Sequence, residues 1–191
     1  MQWGAATGAA TNGLRLLGDV VAFLRRRPKV TLDGVRRSPL WAGGAPIFDV
    51  TQVWIKNRPL KATAKDVTAM IEFFDPGAMT PRLSAHGQWA MTSAPGHVGF
   101  EGFKSSTDIP AGHTPVKLLV LLKYQADNSA YAFAAENIHA YGDGRHPHFE
   151  LSAGEYRMRV SLGGPDIAKT FWFDVKNGGV GTDPVVSEMN W

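Results

Sequence analysis

The sequence predicts an all-β fold: an antiparallel β-sandwich of about seven to eight strands, preceded by one N-terminal α-helix. Three observations carry this. Beyond Pro28 the apolar residues alternate with period two. Turn residues, drawn from 21 glycines and 12 prolines, recur between short apolar runs. Residues 3–24, by contrast, hold no proline and become leucine-rich toward Arg25. Three parts result: a helix with a basic flank over 1–28, a sandwich over 29–177, and a flexible tail over 178–191.

The strands follow in order. Residues 29–35 form a short first strand, closed off from the helix by Pro28. Residues 47–57, IFDVTQVWIKN, are β-branched and aromatic, and Asn57-Arg58-Pro59 breaks them. In residues 65–75, Val67, Ala69, Ile71 and Phe73 share one face, and Asp75-Pro76-Gly77 is a turn. A shorter strand carries Trp89. Residues 115–125, with KLLVLLKYQ, are apolar on both faces, as in a strand buried on both sides. Asp127-Asn128 turns the chain, and 130–133 returns as a hairpin. Residues 155–162 point Tyr156, Met158, Val160 and Leu162 inward. Gly163-Gly164-Pro165-Asp166 then leads into 168–176, with Phe171, Phe173 and Val175 facing in. No body segment reads as helix, so no βαβ unit is expected.

Leu151-Ser152-Ala153-Gly154-Glu155-Tyr156, continuing to Val160, resembles the entry to a late strand in immunoglobulin-like and fibronectin-like modules. There Tyr156 would be a corner tyrosine. Val53 to Pro59, followed by Ala64 to Phe73, is similar to bacterial CARDB-like modules, in which a strand ending in Asn turns into an A-x-x-V-x-V-x-L strand. The resemblance covers residues 29–177. It implies an immunoglobulin-like sandwich with a scaffold or adhesion role and no catalytic residues. Two features depart from it: the loop from Ala94 to Thr114 is long, and no Cys–Trp–Cys pattern exists.

Charge is lopsided. Residues 1–40 hold seven bases (Arg15, Arg25, Arg26, Arg27, Lys29, Arg36, Arg37) and two acids (Asp19, Asp33), a net of +5. The whole chain is +3, so the remainder is at −2. As a helix, residues 3–24 would span about 33 Å, enough for a bilayer core. Asn12, Arg15 and Asp19 interrupt it, at about 3 kcal/mol for each central charge. Arg15 and Asp19 are four apart and can pair on one face. Gly4 and Gly8 begin a ridge of small residues that lets another helix approach. Leu14, Leu17, Val21 and Leu24 share a face. Arg25-Arg26-Arg27 forms the basic stop. By the positive-inside rule a spanning segment would leave the body in the cytoplasm. Packing among other subunits, docking on a membrane surface and folding onto its own domain use the same residues. No basic residue precedes Arg15, so a secretory n-region is absent from this sequence.

Chemical motifs are sparse. Cysteine is absent, which removes disulfides and thiolate chemistry. His139, Asp143, His146 and His148 cluster in HAYGDGRHPH as metal-ligand candidates, against a reading as a polar loop. No G-x-S-x-G occurs, and the glycine-rich stretches precede no helix, so neither a nucleophile elbow nor a phosphate loop is present. Trp172 alternates with inward Phe171 and Phe173 and is expected outside. Trp172 and Trp191 are candidate partner contacts. The reading is a non-enzymatic interaction module without cofactor, anchored to a membrane with its sandwich in the cytoplasm. The alternative is a structural subunit of a large assembly such as a phage virion, and a metal-dependent or carbohydrate-active enzyme is a third. Partners are a membrane, another protein or further copies; nucleic acid is not expected.

Overall fold

The structure, a computed structural model, describes residues 27–42, 45–90, 103–141 and 144–189. The chain forms β1 (Val30–Ala42), β2 (Ala45–Asn57), β3 (Ala64–Phe74), β4 (Leu83–His86), β5 (Gln88–Ala90), β6 (Phe103–Lys104), β7 (Ser106–Ile109), β8 (Val116–Lys123) and β9 (Ala130–Ala132). A short helix α1 (Ala135–Tyr141) and a 3-10 turn (Pro147–Phe149) follow. Then come β10 (Glu150–Leu151), β11 (Gly154–Gly164), β12 (Ile167–Asn177) and β13 (Val185–Glu188). They make two antiparallel sheets, as expected for a sandwich. The first has seven strands in the order β1-β2-β8-β5-β6, with β9 and β10 also on it, and the second has six in the order β13-β12-β11-β3-β4, with β7 beside β3.

The alternation read from the sequence becomes burial. Val67, Ala69, Ile71 and Phe73 of β3 meet Tyr156, Met158, Val160 and Leu162 of β11 and Phe171, Phe173 and Val175 of β12. Sheet one answers with Val53, Ile55, Trp89, Leu118 and Val120. β8 is buried on both faces. Its outer face, with Leu119 and Leu122, lies under Phe48, Tyr131, Phe133 and Ile138. Tyr156 closes a corner: its hydroxyl donates to the Ser152 carbonyl at 3.0 Å. Gly77, at φ +77°, follows Pro76 in a turn closed by the Ala78 amide on the Asp75 carbonyl at 3.0 Å.

Four expectations need correction. The body does contain a helix, α1. Its seven residues are too few for a 3.6 period to show, and the fold fixes it instead. The buried Asn137 side chain donates to the Ala132 carbonyl at 2.9 Å and accepts from the His146 amide at 2.8 Å. The expected tail carries β13, an edge strand paired to Phe173–Lys176 of β12. It was hidden because Val185 is exposed and only Val186 packs on the core. The long loop holds β6 and β7. Finally, β1 runs well past residue 35, alongside β2 to Ala42. The segment read as an N-terminal helix lies outside the described residues.

The two sheets are joined at one end by a buried polar clamp. Lys123 is 1% exposed. Its ammonium donates to the Asp127 carbonyl (2.7 Å), the Ser129 carbonyl (3.4 Å) and Asn177 Oδ1 (3.3 Å). Asn177 in turn donates to the carbonyls of Leu151 and Asn128. Burial holds the Lys123 pKa below its ordinary value, and Asp127 offsets part of that.

Two outcomes test this packing. Phe73→Ala should cost about 3–5 kcal/mol in urea unfolding, because it empties the centre of the core. The second outcome concerns pH. The folded state releases the Lys123 proton earlier than the unfolded chain does. Stability should therefore rise as pH climbs from the folded pKa toward the ordinary 10.5. Tyr131 and Tyr156 have raised pKa values through burial and oppose that rise above their ordinary 10.0. The difference between wild type and Lys123→Met, followed by urea midpoints across this range, isolates the lysine. A parallel pH dependence in both would refute the assignment.

Candidate functional site at the N-terminal pole

Of the residues singled out in the sequence, Gly4, Gly8, Leu14, Arg15, Leu17, Asp19, Val21, Leu24, Arg25, Arg26 and Trp191 lie outside the described residues, as does Asp143. Arg27 is described and exposed. The side chain of His139, on α1, is not described. His146 and His148 sit together in the 3-10 turn. The His148 amide donates to His146 Nδ1 at 3.0 Å, capping the 3-10 turn, and both rings pack edge-on against Phe149. No group of three His, Asp or Glu suited to a metal occurs among the described residues. Trp172 faces outward as expected, but half-buried. It packs 5.5 Å from Phe74, and Arg159 stacks over both rings. Arg159 also makes a two-pronged pair with Glu72 at 2.7 and 2.8 Å. That cover, which the alternation of β3 does not reveal, buries Phe74 on the outer face.

A different group of residues converges where β1 begins, β2 ends, and β3 and β8 begin. Its organiser is Asn57, fully buried at the end of β2. Asn57 Oδ1 accepts from the Lys29 amide at 2.9 Å. Its Nδ2 donates to the Ala62 carbonyl at 2.7 Å and to the Ile109 carbonyl at 3.3 Å. The Arg58 amide donates to the Lys29 carbonyl, and the Gly112 amide to the Asn57 carbonyl, each at 3.2 Å. One side chain thus gathers three segments, 27–29, 57–63 and 109–114, at one pole. The strand break Asn57-Arg58-Pro59 is legible in the sequence; the three-way convergence is not, because its partners are 28 and 52 residues away.

This pole is basic. Residues 27–29 and 57–63 contribute Arg27, Lys29, Arg58 and Lys61 and no acid. At its tip stands Leu60, 97% exposed with φ +61°. The left-handed conformation costs a side-chain-bearing residue about 1–2 kcal/mol. Full exposure adds no burial to offset it. The Asn57 clamp on the Ala62 carbonyl holds the loop in this form. Beside the pole, an open cleft of about 750 Å³ is lined by Lys65, Asp66, Lys104, Ser106, Asp108 and Thr114. Its charges are largely paired within it. Lys65 donates to Asp108 at 2.7 Å, and the Asp66 amide, on left-handed backbone, donates to the other Asp108 oxygen at 3.1 Å. These bonds hold the Asp108 carboxyl below its ordinary pKa.

No family model matches the chain, and no curated protein matches it. Among solved structures, it aligns with a chain of the archaeal flagellum of Methanospirillum hungatei strain JF1 at 11% identity and a TM-score of 0.44. The alignment covers 96% of this chain and 85% of that one. A superposition that loose does not establish a shared fold. The corner at Tyr156 is present as geometry, while membership of the CARDB-like modules is not confirmed.

At the opposite pole the β1–β2 ladder extends as a ribbon. β8 pairs with β2 only over Asp49–Ile55. The pairs Leu40↔Phe48, Trp41↔Pro46 and Ala42↔Ala45 lie beyond it. No described strand pairs with that end of β2, and its sequence, LWA and APIF, is apolar.

The Asn57 assignment has a direct consequence. Asn57→Leu strands the Lys29 amide and two carbonyls, so it should destabilise by about 2–4 kcal/mol in urea unfolding. Amide exchange should speed up first at Lys29, Arg58 and Gly112. A loss spread evenly over both sheets, with no preference for those amides, would contradict a local clamp.

Proposed function

We propose that this protein is a non-enzymatic structural subunit that is tethered through its N-terminal segment and joins a larger assembly. The carrying observation is the β1–β2 ribbon, whose apolar sequence continues beyond the residues that β8 pairs, with no third strand beside it among the described residues. A two-stranded ribbon of this kind gains little from its own packing and gains much from a partner surface. It stands at the pole opposite the exit of residues 1–26. Contacts at two opposite ends generate extended assemblies when the same pair of surfaces repeats from copy to copy. The immunoglobulin-like resemblance, with its tyrosine corner, agrees with a scaffold role. The ribbon's companion edge, the outer side of β1, carries Arg36, Arg37 and Pro39, which discourage unspecific strand pairing.

Membrane attachment through residues 3–24 is the second reading, and the basic pole favours it. No helix among the described residues is long and apolar enough to cross a membrane, and residues 3–24 are not among them.

Light scattering of the full chain over a concentration series should show growth beyond the monomer. Trp41→Asp with Ile47→Asp on the ribbon should reduce the association constant by about tenfold or more, since each puts a charge where the ribbon's sequence is apolar. The circular dichroism of the variant should stay strand-dominated. A full chain that is monomeric at every concentration, or a variant that assembles as well as wild type, would defeat the assembly reading.

A further inference from the structure

We infer that the pole gathered by Asn57 is a docking face for an anionic phospholipid bilayer, with Leu60 as the inserted apolar contact and Arg58, Lys61, Lys29 and Arg27 as headgroup contacts. The inference rests on the attachment reading of residues 1–26 and adds to it a second contact made by the folded body.

Three observations converge. Leu60 is held fully exposed on left-handed backbone at a loop tip, a placement that neither solvent nor the fold rewards. A leucine side chain gains free energy only by leaving water. The two segments that flank it are basic: residues 27–29 and 57–63 hold four bases and no acid, while the acids of the neighbouring cleft are tied up within it, Asp108 by Lys65 and the Asp66 amide. Apolar insertion flanked by lysine and arginine matches the interface of a bilayer that carries negative headgroups. The chain enters the sandwich at this same pole, through Lys29 bonded to Asn57. One weak membrane signal binds reversibly, whereas two bind stably. The pole supplies the second signal and sets the orientation of the body.

Nucleic acid would use the same cations. Among its described residues the pole shows no Phe, Tyr or Trp on which bases could stack, its one ring being His113, and an exposed leucine does nothing for a phosphate backbone. A bilayer is the better match to the pair of features.

The absence of cysteine allows a clean test in the full chain. Leu60→Cys is labelled with a polarity-sensitive thiol fluorophore, and so is Met79→Cys. Met79 is 95% exposed in the turn at the far end of β3 and serves as the control. Both are mixed with phosphatidylcholine vesicles with and without phosphatidylserine, and with a DNA oligonucleotide. Expected is a blue shift at position 60 with phosphatidylserine vesicles, reversed by salt, and no shift at position 79. In unlabelled protein, Arg58→Glu with Lys61→Glu should weaken vesicle co-sedimentation by about tenfold. If the protein co-sediments but position 60 stays silent, the pole inference fails while N-terminal attachment stands. If both positions shift alike, the orientation is wrong and the inference fails. A shift with the oligonucleotide and none with vesicles makes the pole a nucleic-acid contact and also overturns it. If nothing co-sediments, this inference and membrane attachment fail together.

Discussion

Everything in this molecule depends on burying β8 from both sides. Its inner face meets the second sheet through Leu118 and Val120, and its outer face lies under Phe48, Tyr131, Phe133 and Ile138. A strand buried on one face could sit at the edge of a two-layer sandwich. A strand buried on both faces needs a third cover. That requirement explains why the chain after β9 folds back as α1 and the 3-10 turn rather than continuing as strand. It also fits the strand neighbours of β8, with β2 on one side and β5 followed by β9 on the other. Area burial of this kind stabilises a large share of any domain, and here it is concentrated in one strand.

Apolar burial does not orient the loops at the ends of the sandwich. Two buried polar side chains do that. Asn57 gathers the pole where β1 starts, and Lys123 with Asn177 ties the opposite end of sheet one to sheet two. Each must satisfy all its hydrogen-bonding groups away from water, so each admits few loop arrangements. Lys123 meets only neutral oxygens, and its depressed pKa records the cost of burying that charge. Asn57 is uncharged and carries no such penalty. The pole it organises can therefore hold a strained, exposed Leu60 without the rest of the sandwich yielding.

Much of the fold was legible in the residues. Period two in β3, β11 and β12 revealed which side chains point inward, because a pleated strand has no other way to display one apolar face. The apolar run of β8 announced two-sided burial. The elements that escaped were short or lay at edges. α1 is too brief to show a period, and β13 and β7 are held by backbone bonds that any residue can make. The residues proposed for attachment were less legible still. Arg25, Arg26 and Arg27 stand out as a run, whereas Arg58 and Lys61 are two ordinary loop cations until Lys29 is placed beside them.

By itself the sequence determined the class of fold, the inward faces of the main strands, the corner tyrosine and the basic character of the N-terminal region. These follow from local geometry, since the alternation of side chains and the sign of a charge need no partner. Only the tertiary structure decided that Asn57 is a hub rather than a strand breaker, that His146 caps a 3-10 turn, and that Leu60 is exposed. Each of those depends on what lies nearby in space, and the groups that decide it are brought together by pairings between segments far apart in the chain.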